Sequence, residues 1–177
     1  DMRRNQKVHI LSGVIQNEWK ARKWSFLLGG RFDHHNMVDH VIFSPRINLR
    51  YNPTEQINLR LNYAGGFRAP QTFDEDLHIA LVGGERVVTQ LAPDLREERS
   101  NSLSASIDLY RSFGSVETNL LVEGFYTALD HIFATRYLPE PNEKGETVLE
   151  RYNGGGATVA GVNVEAKAAF SRWFDLQ

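Results

Sequence analysis

The clearest pattern in the chain is a strict alternation of apolar and polar residues that occurs twice between residues 46 and 70. Residues 47–52 read Ile-Asn-Leu-Arg-Tyr-Asn, and residues 57–63 read Ile-Asn-Leu-Arg-Leu-Asn-Tyr. A period of two predicts β-strands with two different faces, because successive side chains of a strand point to opposite sides of the sheet. The link Asn-Pro-Thr-Glu at 52–55 predicts a short turn, so the two strands should form an antiparallel hairpin.

Similar alternation predicts strands along most of the chain. The predicted strands cover residues 7–20, 24–34, 41–51, 56–67, 96–111, 116–137 and 148–170, with Gly154-Gly155-Gly156 interrupting the last. The segment 68–95 breaks the pattern, and irregular segments of that length are usually functional loops or disordered. The predicted fold class is therefore all-β, an antiparallel up-and-down meander of about seven strands.

The predicted connections alternate in length along the chain. The links near residues 21, 53 and 113 are short, whereas those near 37, 82 and 142 are longer and more polar. In a meander, all short turns then lie at one end of the sheet and all long loops at the other. This asymmetry is typical of outer-membrane β-barrels.

Two interpretations of the apolar face compete. It could pack the core of a soluble β-sandwich or β-barrel ligand-binding module, or it could face lipid in a transmembrane barrel. Three features favour lipid: charges in mid-strand on the polar face, strands that reach the roughly 9–11 residues of a membrane crossing, and tryptophans beside the short turns. Trp19, Trp24 and Trp173, with Tyr51 and Phe113, would form an interfacial belt.

The composition of the chain argues against several classes of function. The formal net charge of −2 gives no basic signal for nucleic acid. The chain has no cysteine, which excludes disulfides and thiol catalysis. No arrangement of catalytic residues stands out, so the sequence predicts neither an enzyme nor a cofactor.

Three segments carry a resemblance to a known family. Gly66-Phe67-Arg68-Ala69-Pro70, followed by Thr-Phe-Asp-Glu, resembles the Phe-Arg-Ala-Pro signature of TonB-dependent outer-membrane receptors. Upstream, Phe43-Ser44-Pro45-Arg46 resembles the preceding family strand, and residues 95–100 look like the segment at which a strand re-enters the barrel. The three pieces stand in family order, and the resemblance is best from 42 to 130.

This resemblance implies a location in the bacterial outer membrane and a roughly 22-stranded transmembrane β-barrel with a plugged lumen. It implies import of a scarce nutrient such as a ferric siderophore, haem or cobalamin, with the TonB complex and a plug domain as partners. Residues 1–177 are expected to be a partial barrel without the plug domain, inactive in transport alone. Such a fragment would bury its lipid-facing side by self-association.

The candidate site residues fall into four groups. A histidine cluster could supply metal ligands (His34, His35 and His40), although a solvated polar loop is the favoured interpretation. An acidic outer loop could contact the transported ligand or calcium (Asp74, Glu75, Asp76 and His78), although its spacing fits no known calcium loop and a loop without a site is favoured. Three arginines would line the lumen and contact the plug (Arg46, Arg50 and Arg60), and the family motif would mark the exit from a strand into a loop (Phe67, Arg68, Ala69 and Pro70).

Overall fold

The computed structural model describes residues 7–70, 87–171 and 174–176, and the structural statements below concern those residues. Their regular structure consists of strands: β1 Ile10–Ala21, β2 Trp24–His35, β3 Ile42–Thr54, β4 Ile57–Arg68, β5 Val87–Leu91, β6 Glu98–Phe113, β7 Val116–Asp130, β8 Phe133–Tyr137, β9 Thr147–Asn153, β10 Ala157–Ser171 and β11 Phe174–Leu176. Within this part of the chain, no helix has the length and apolar content that a membrane crossing requires.

Eight strands form one large sheet in the order β1-β2-β3-β4-β6-β7-β10-β11, and all neighbouring strands are antiparallel. The prediction of an all-β antiparallel meander is confirmed, with the short β11 as an addition. The two alternating segments, 47–52 and 57–63, pair with each other as predicted. Leu49 lies opposite Leu61, and Arg50 lies opposite Arg60. However, β3 extends through Pro53 to Thr54, so the turn is shorter than predicted and the register shifts after Tyr51.

Two predicted strands are each two strands in the structure. The segment 116–137 divides into β7 and β8 at His131, whose positive φ of 55° interrupts the extended backbone. The segment 148–170 divides into β9 and β10 at the three glycines 154–156. The strands β8 and β9 leave the large sheet and form a three-stranded sheet with β5, which lies inside the predicted long loop and runs parallel to β9.

The connections of the large sheet differ between its two ends, as predicted. At one end, here called the short-turn end, the strands are joined by the two-residue turns at 22–23, 55–56 and 114–115. At the other, here called the loop end, the connections are residues 36–41, 69–97 and 131–156. The small sheet belongs to the last two of these connections, so it lies at the loop end.

The apolar face of the large sheet has little protein cover. Leu11 is 75% exposed, Ile15 is 73% exposed and Val162 is 68% exposed, although each lies within a regular strand. In the described part of the chain, the large sheet contacts its own strand neighbours, and no second sheet packs on its apolar face. A soluble β-sandwich would bury such a face against another sheet. The described residues therefore do not form a sandwich of two packed sheets.

Aromatic side chains gather at the short-turn end of the apolar face. Trp19 stacks on Phe26 with ring centroids 5.6 Å apart, and Trp24 stacks on Tyr51 at 4.0 Å. Phe113, beside the turn between β6 and β7, is 68% exposed. Aromatic side chains of this kind form girdles where a membrane barrel meets the headgroups. Trp173, the remaining predicted member of the belt, lies outside the described residues.

Candidate functional site

The strand register places the three predicted arginines on one face of the large sheet. Arg50 lies opposite Ser25 on β2 and Arg60 on β4, and Arg60 lies opposite Ser106 on β6. Arg46 has the same parity as Arg50 on β3, so it shares this face. We call it the polar face; that it lines a lumen stays a prediction.

Hydrogen bonds cross the polar face from strand to strand. Asn48 donates to the Oδ1 of Asn62, and the Nδ2 of Asn62 donates to the Oγ of Ser104 at 3.2 Å. Asp108 is buried, accepts a hydrogen bond from the hydroxyl of Tyr110 at 2.7 Å and lies 3.7 Å from a guanidinium nitrogen of Arg60. Amide and hydroxyl rows of this kind give the face polar groups that can also bond water or a partner chain.

A cleft of about 600 Å³ lies near the short-turn end. Its charged lining consists of Glu18, Lys20, Arg22, Lys23, Arg50 and Arg60. Lys20 forms an ion pair with Glu18 at 3.1 Å, and the Nζ of Lys23 donates to the carbonyl oxygen of Pro53 at 2.6 Å. Cations outnumber carboxylates in this lining, so the cleft favours anions.

The family motif joins the end of β4 to the loop end. Arg68 is the last residue of β4, and its guanidinium carbon lies 5.3 Å from the ring centroid of Phe133, the first residue of β8. Ala69 and Pro70 are buried, and Ala69 shares an apolar cluster with Val38 and Ile42, against which Phe67 packs. The motif therefore fixes the strand exit by packing.

The histidines predicted as metal ligands do not converge. His34 and His35 are successive residues of β2, so their side chains point to opposite faces. His35 is 1% exposed, and its Nδ1 accepts a hydrogen bond from the backbone N–H of Met37 at 3.1 Å. His40 instead contacts Glu97 at 3.2 Å. Across residues 7–70 and 87–171, no three side chains of the metal-ligating types stand close enough to hold an ion.

The favoured interpretation, a solvated polar loop, does not describe His35, which is buried in β2. Asp33 is buried beside His35. Its two carboxylate oxygens accept hydrogen bonds from the Oγ of Ser12 at 2.5 Å and from the Nε of Arg31 at 2.7 Å. These polar groups are therefore part of the folded sheet, because β2 continues to His35 and carries them into it.

Glu97 is a buried carboxylate at the loop end that the sequence did not single out. It is 5% exposed; its Oε1 accepts a hydrogen bond from the Nε of Arg99 at 2.8 Å, and the Nε2 of His40 lies 3.2 Å away. Burial raises the pKa of Glu97, but hydrogen bonding and the charge of Arg99 outweigh burial and hold the pKa below its ordinary value. In the sequence this residue lies in the charge run Arg-Glu-Glu-Arg at 96–99, within the segment that resembles strand re-entry, and nothing there indicated its burial.

A second cleft, of about 490 Å³, opens beside this carboxylate. Its lining includes Met37, Asp39, His40, Arg96, Glu97 and His131. Both signs of charge are present in it together with apolar groups, a mixture that suits a polar ligand more than a simple ion.

Hydrogen bonds of the Asn153 side chain join the small sheet to residues beside the large sheet. The Oδ1 of Asn153 accepts from the backbone N–H of Arg96 at 2.7 Å, and its Nδ2 donates to the carbonyls of Arg96 at 3.0 Å and His131 at 2.7 Å. Within the small sheet, Arg136 bonds Glu150 at 2.6 Å. The acidic loop candidates Asp74, Glu75, Asp76 and His78 lie outside the described residues.

Comparison with known proteins identifies the family. Residues 3–177 match the family described as TonB dependent receptor-like, beta-barrel. The chain belongs to this family. The prediction made from the three segments 43–46, 66–70 and 95–100 together is confirmed.

Solved structures of TonB-dependent receptors share the fold of this chain. The siderophore receptor PirA from Pseudomonas aeruginosa superposes with a TM-score of 0.70 and 16% identity, covering 91% of this chain and 31% of PirA. The hemophore receptor HasR of Serratia marcescens, solved with its hemophore HasA and heme, gives a TM-score of 0.71 at 12% identity, covering 92% of this chain and 32% of HasR. At these identities the likeness shows the fold alone.

A curated relative matches part of the chain in sequence. The probable hemoglobin and hemoglobin-haptoglobin-binding protein 3 of Haemophilus influenzae is 22% identical over 142 residues, which is 78% of this chain and 12% of the relative. The chain thus spans about a third or less of the proteins that it resembles.

TonB-dependent receptor barrels are outer-membrane proteins of Gram-negative bacteria, and the family consists of transport receptors. The predicted location is confirmed. It explains why the apolar face of a TonB-dependent receptor sheet has little protein cover among the described residues.

Proposed function

We propose that residues 1–177 form part of the barrel wall of an outer-membrane receptor that imports a scarce nutrient such as a ferric siderophore, haem or cobalamin. The observation that carries this proposal is a single-layer sheet with an exposed apolar face and a charged polar face, in a chain of the TonB-dependent receptor family. The printed names of its relatives, which include siderophore, heme and hemoglobin receptors, support the substrate class.

In this proposal the apolar face contacts lipid and the polar face lines the lumen. The strand β4 has 12 residues. At about 3.3 Å per residue it extends roughly 40 Å, and a tilt of about 45° reduces its height to roughly 28 Å. The hydrocarbon core of a bilayer is about 30 Å thick, so strands of this length suit a crossing.

The proposed partners occupy different parts of the wall. A plug domain would contact Arg46, Arg50 and Arg60 on the polar face, and the TonB complex would act from the side of the short turns. The nutrient would meet the loop end, where Asp74, Glu75, Asp76 and His78 are candidate contacts. No catalytic step belongs to the proposal, because the polar groups of the described loop end pair with one another and do not form a nucleophile and base.

The isolated chain would be inactive in transport and would self-associate. Within the described residues, β1 pairs with β2 alone, so one of its edges is open for another strand. Sedimentation of the 177-residue chain in detergent-free buffer should show oligomers. A monodisperse monomer would contradict this part of the proposal.

A growth assay tests the proposed function. The gene that encodes this chain is deleted, and growth is measured with a ferric siderophore or haem as the sole iron source and with limiting cobalamin. Loss of growth on one nutrient, restored by the intact gene, is expected. A Leu61→Arg variant, which places a charge on the apolar face, should restore growth poorly, whereas Asn62→Gln on the polar face should restore it. Unchanged growth on every nutrient would reject import of this class.

A further inference from the structure

One asparagine of the chain is followed directly by a glycine, in the pair Asn153-Gly154. Asn153 is the last residue of β9, and Gly154 begins the connection to β10. An asparagine in this position is chemically reactive, because the backbone nitrogen of the next residue can attack the carbon of the side-chain amide. Glycine permits this attack best, since it has no side chain and its backbone adopts many conformations.

In the folded chain, hydrogen bonds hold both reacting groups of this pair. The Oδ1 of Asn153 accepts from the backbone N–H of Arg96 at 2.7 Å, and its Nδ2 donates to the carbonyl oxygens of Arg96 at 3.0 Å and His131 at 2.7 Å. The N–H of Gly154 donates to the carbonyl oxygen of Ile132 at 2.7 Å. The nitrogen that would attack and the nitrogen that would leave are therefore both engaged, and a reaction requires that these bonds open.

We propose that Asn153 is a deamidation site, which the folded loop end protects and which reacts when the small sheet opens. In the open state the nitrogen of Gly154 forms a bond to the Cγ of Asn153, and the bond from Cγ to Nδ2 breaks. The proton of the Gly154 N–H leaves with Nδ2 as ammonia. Water, the only co-reactant, then opens the cyclic imide at either carbonyl carbon, which gives aspartate or isoaspartate at position 153.

The small sheet is suited to opening by itself. Its strands β5, β8 and β9 have five, five and seven residues, whereas β6 and β7 of the large sheet have 16 and 15. Short, peripheral elements open at a lower free energy than the sheet to which they are attached. Opening of the small sheet therefore exposes Asn153 to the reaction without unfolding of the wall.

The product cannot make the hydrogen bonds that the asparagine makes. A carboxylate accepts hydrogen bonds but donates none. The two contacts from Nδ2 to the carbonyl oxygens of Arg96 and His131 would become contacts between acceptors, which destabilise the closed state. Deamidation would therefore convert a transient opening of the small sheet into a lasting one.

The test follows the reaction by mass spectrometry. The whole 177-residue chain is incubated in detergent micelles at neutral pH, and aspartate and isoaspartate at position 153 are quantified over time by peptide mapping. The rate should be at least about tenfold lower in the folded chain than in guanidinium chloride, because only the open fraction reacts. Equal rates would show that the fold does not protect this residue.

Gly154→Ala tests the proposed chemical step. A Cβ at this position lies 3.4 Å from the Cβ of Ala134 and 3.4 Å from the carbonyl oxygen of Ile132, so an alanine fits the folded chain. In the unfolded chain the variant should slow the reaction by at least about tenfold, because the added methyl group hinders ring closure. An unchanged rate would contradict attack by this backbone nitrogen.

Glu150→Ala tests whether opening of the small sheet controls the reaction. Glu150 is buried and forms an ion pair with Arg136 at 2.6 Å, which joins β9 to β8. Its removal should speed the reaction in the folded chain by at least about threefold and leave the unfolded chain unaffected. Glu165→Ala, which removes an exposed pair with Lys167 on β10, should change the rate by less than about twofold. The same rate in both variants would reject control by the small sheet.

Asn153→Asp reproduces the charge of one product. Amide hydrogen exchange in β8 and β9 should become at least about tenfold faster in this variant, with exchange in β6 and β7 unchanged. Asn163→Asp places the same charge on β10 and should leave exchange of the small sheet unchanged. Unchanged exchange in Asn153→Asp would overturn the proposed effect of the modification. None of these measurements depends on import, so their failure would leave the proposed function standing.

Discussion

The loop end and the polar face of the wall both carry many charged side chains, but these differ in burial and in pairing. At the loop end, Glu97 and Glu150 are buried and each contacts an arginine within 2.8 Å. On the wall, Arg50 and Arg60 are exposed and lie opposite each other. Buried, paired charges are costly to disrupt, whereas exposed charges contribute little to stability. The loop-end charges therefore hold a structure in place, whereas the two wall arginines stay exposed, although Arg60 also has Asp108 at 3.7 Å.

The largest expected effect on the free energy of unfolding comes from a charge placed on the apolar face. Leu61→Arg should lower the free energy of unfolding in a bilayer by about 2–4 kcal/mol, because it places a charge among lipid chains. Asn62→Arg, one residue along β4 and on the polar face, should cost much less. Guanidinium unfolding in liposomes measures both, and equal costs would show that the two faces do not differ in environment.

A second, smaller effect is expected at the buried carboxylate of the loop end. Glu97→Gln should lower the free energy of unfolding by about 1–2 kcal/mol, because a charged acceptor of Arg99 becomes neutral. Glu165→Gln on the wall should change it far less, since its pair with Lys167 is exposed. If the two variants cost the same, the distinction between the two regions would fail.

The same carboxylate predicts a pH dependence. The pKa of Glu97 is lower in the folded protein than its ordinary value. Its contribution is therefore fully present above the ordinary pKa of glutamate, about 4.3, and is lost as the pH falls through the lower, folded pKa. The difference in unfolding free energy between wild type and Glu97→Gln should shrink as the pH is lowered from 7 to 3. A constant difference would contradict the assigned shift.

The smallest expected effect has the opposite sign. In the absence of a bound anion, Arg50→Gln should raise the free energy of unfolding by about 0.2–1 kcal/mol, because it relieves repulsion from Arg60. Ser25→Gln in the same row provides a control for the bulk of the new side chain. Destabilisation by Arg50→Gln would indicate that this arginine has a structural role.

The sequence predicted those elements whose pattern is local. The alternation at 47–63 placed β3 and β4 and their faces, and the motif at 67–70 together with the segments 43–46 and 95–100 identified the family. The sequence-based prediction failed at His131, because neither the alternation of apolar and polar residues nor the strand propensity indicated a positive φ there. The parallel pairing of β5 with β9 joins residues about sixty positions apart, and no local pattern encodes it.

The buried charges were missed for a related reason. Charged side chains are usually exposed, and a charge run such as residues 96–99 normally indicates solvent. Glu97 is buried because His40, 57 positions away, and Arg99 meet it at the loop end. The same limit applies to His35, which is the last residue of β2 and is buried although the sequence around it is polar.

The central claim is that the two faces of the sheet meet lipid and water respectively, and β4 allows the most direct measurement. The chain has no cysteine, so single cysteines can be placed at each position from 57 to 63 and spin-labelled in liposomes. Oxygen accessibility should peak at Ile57, Leu59, Leu61 and Tyr63, and accessibility to a water-soluble nickel complex at Asn58, Arg60 and Asn62. Accessibility without a period of two, or with the two reagents exchanged, would contradict the account.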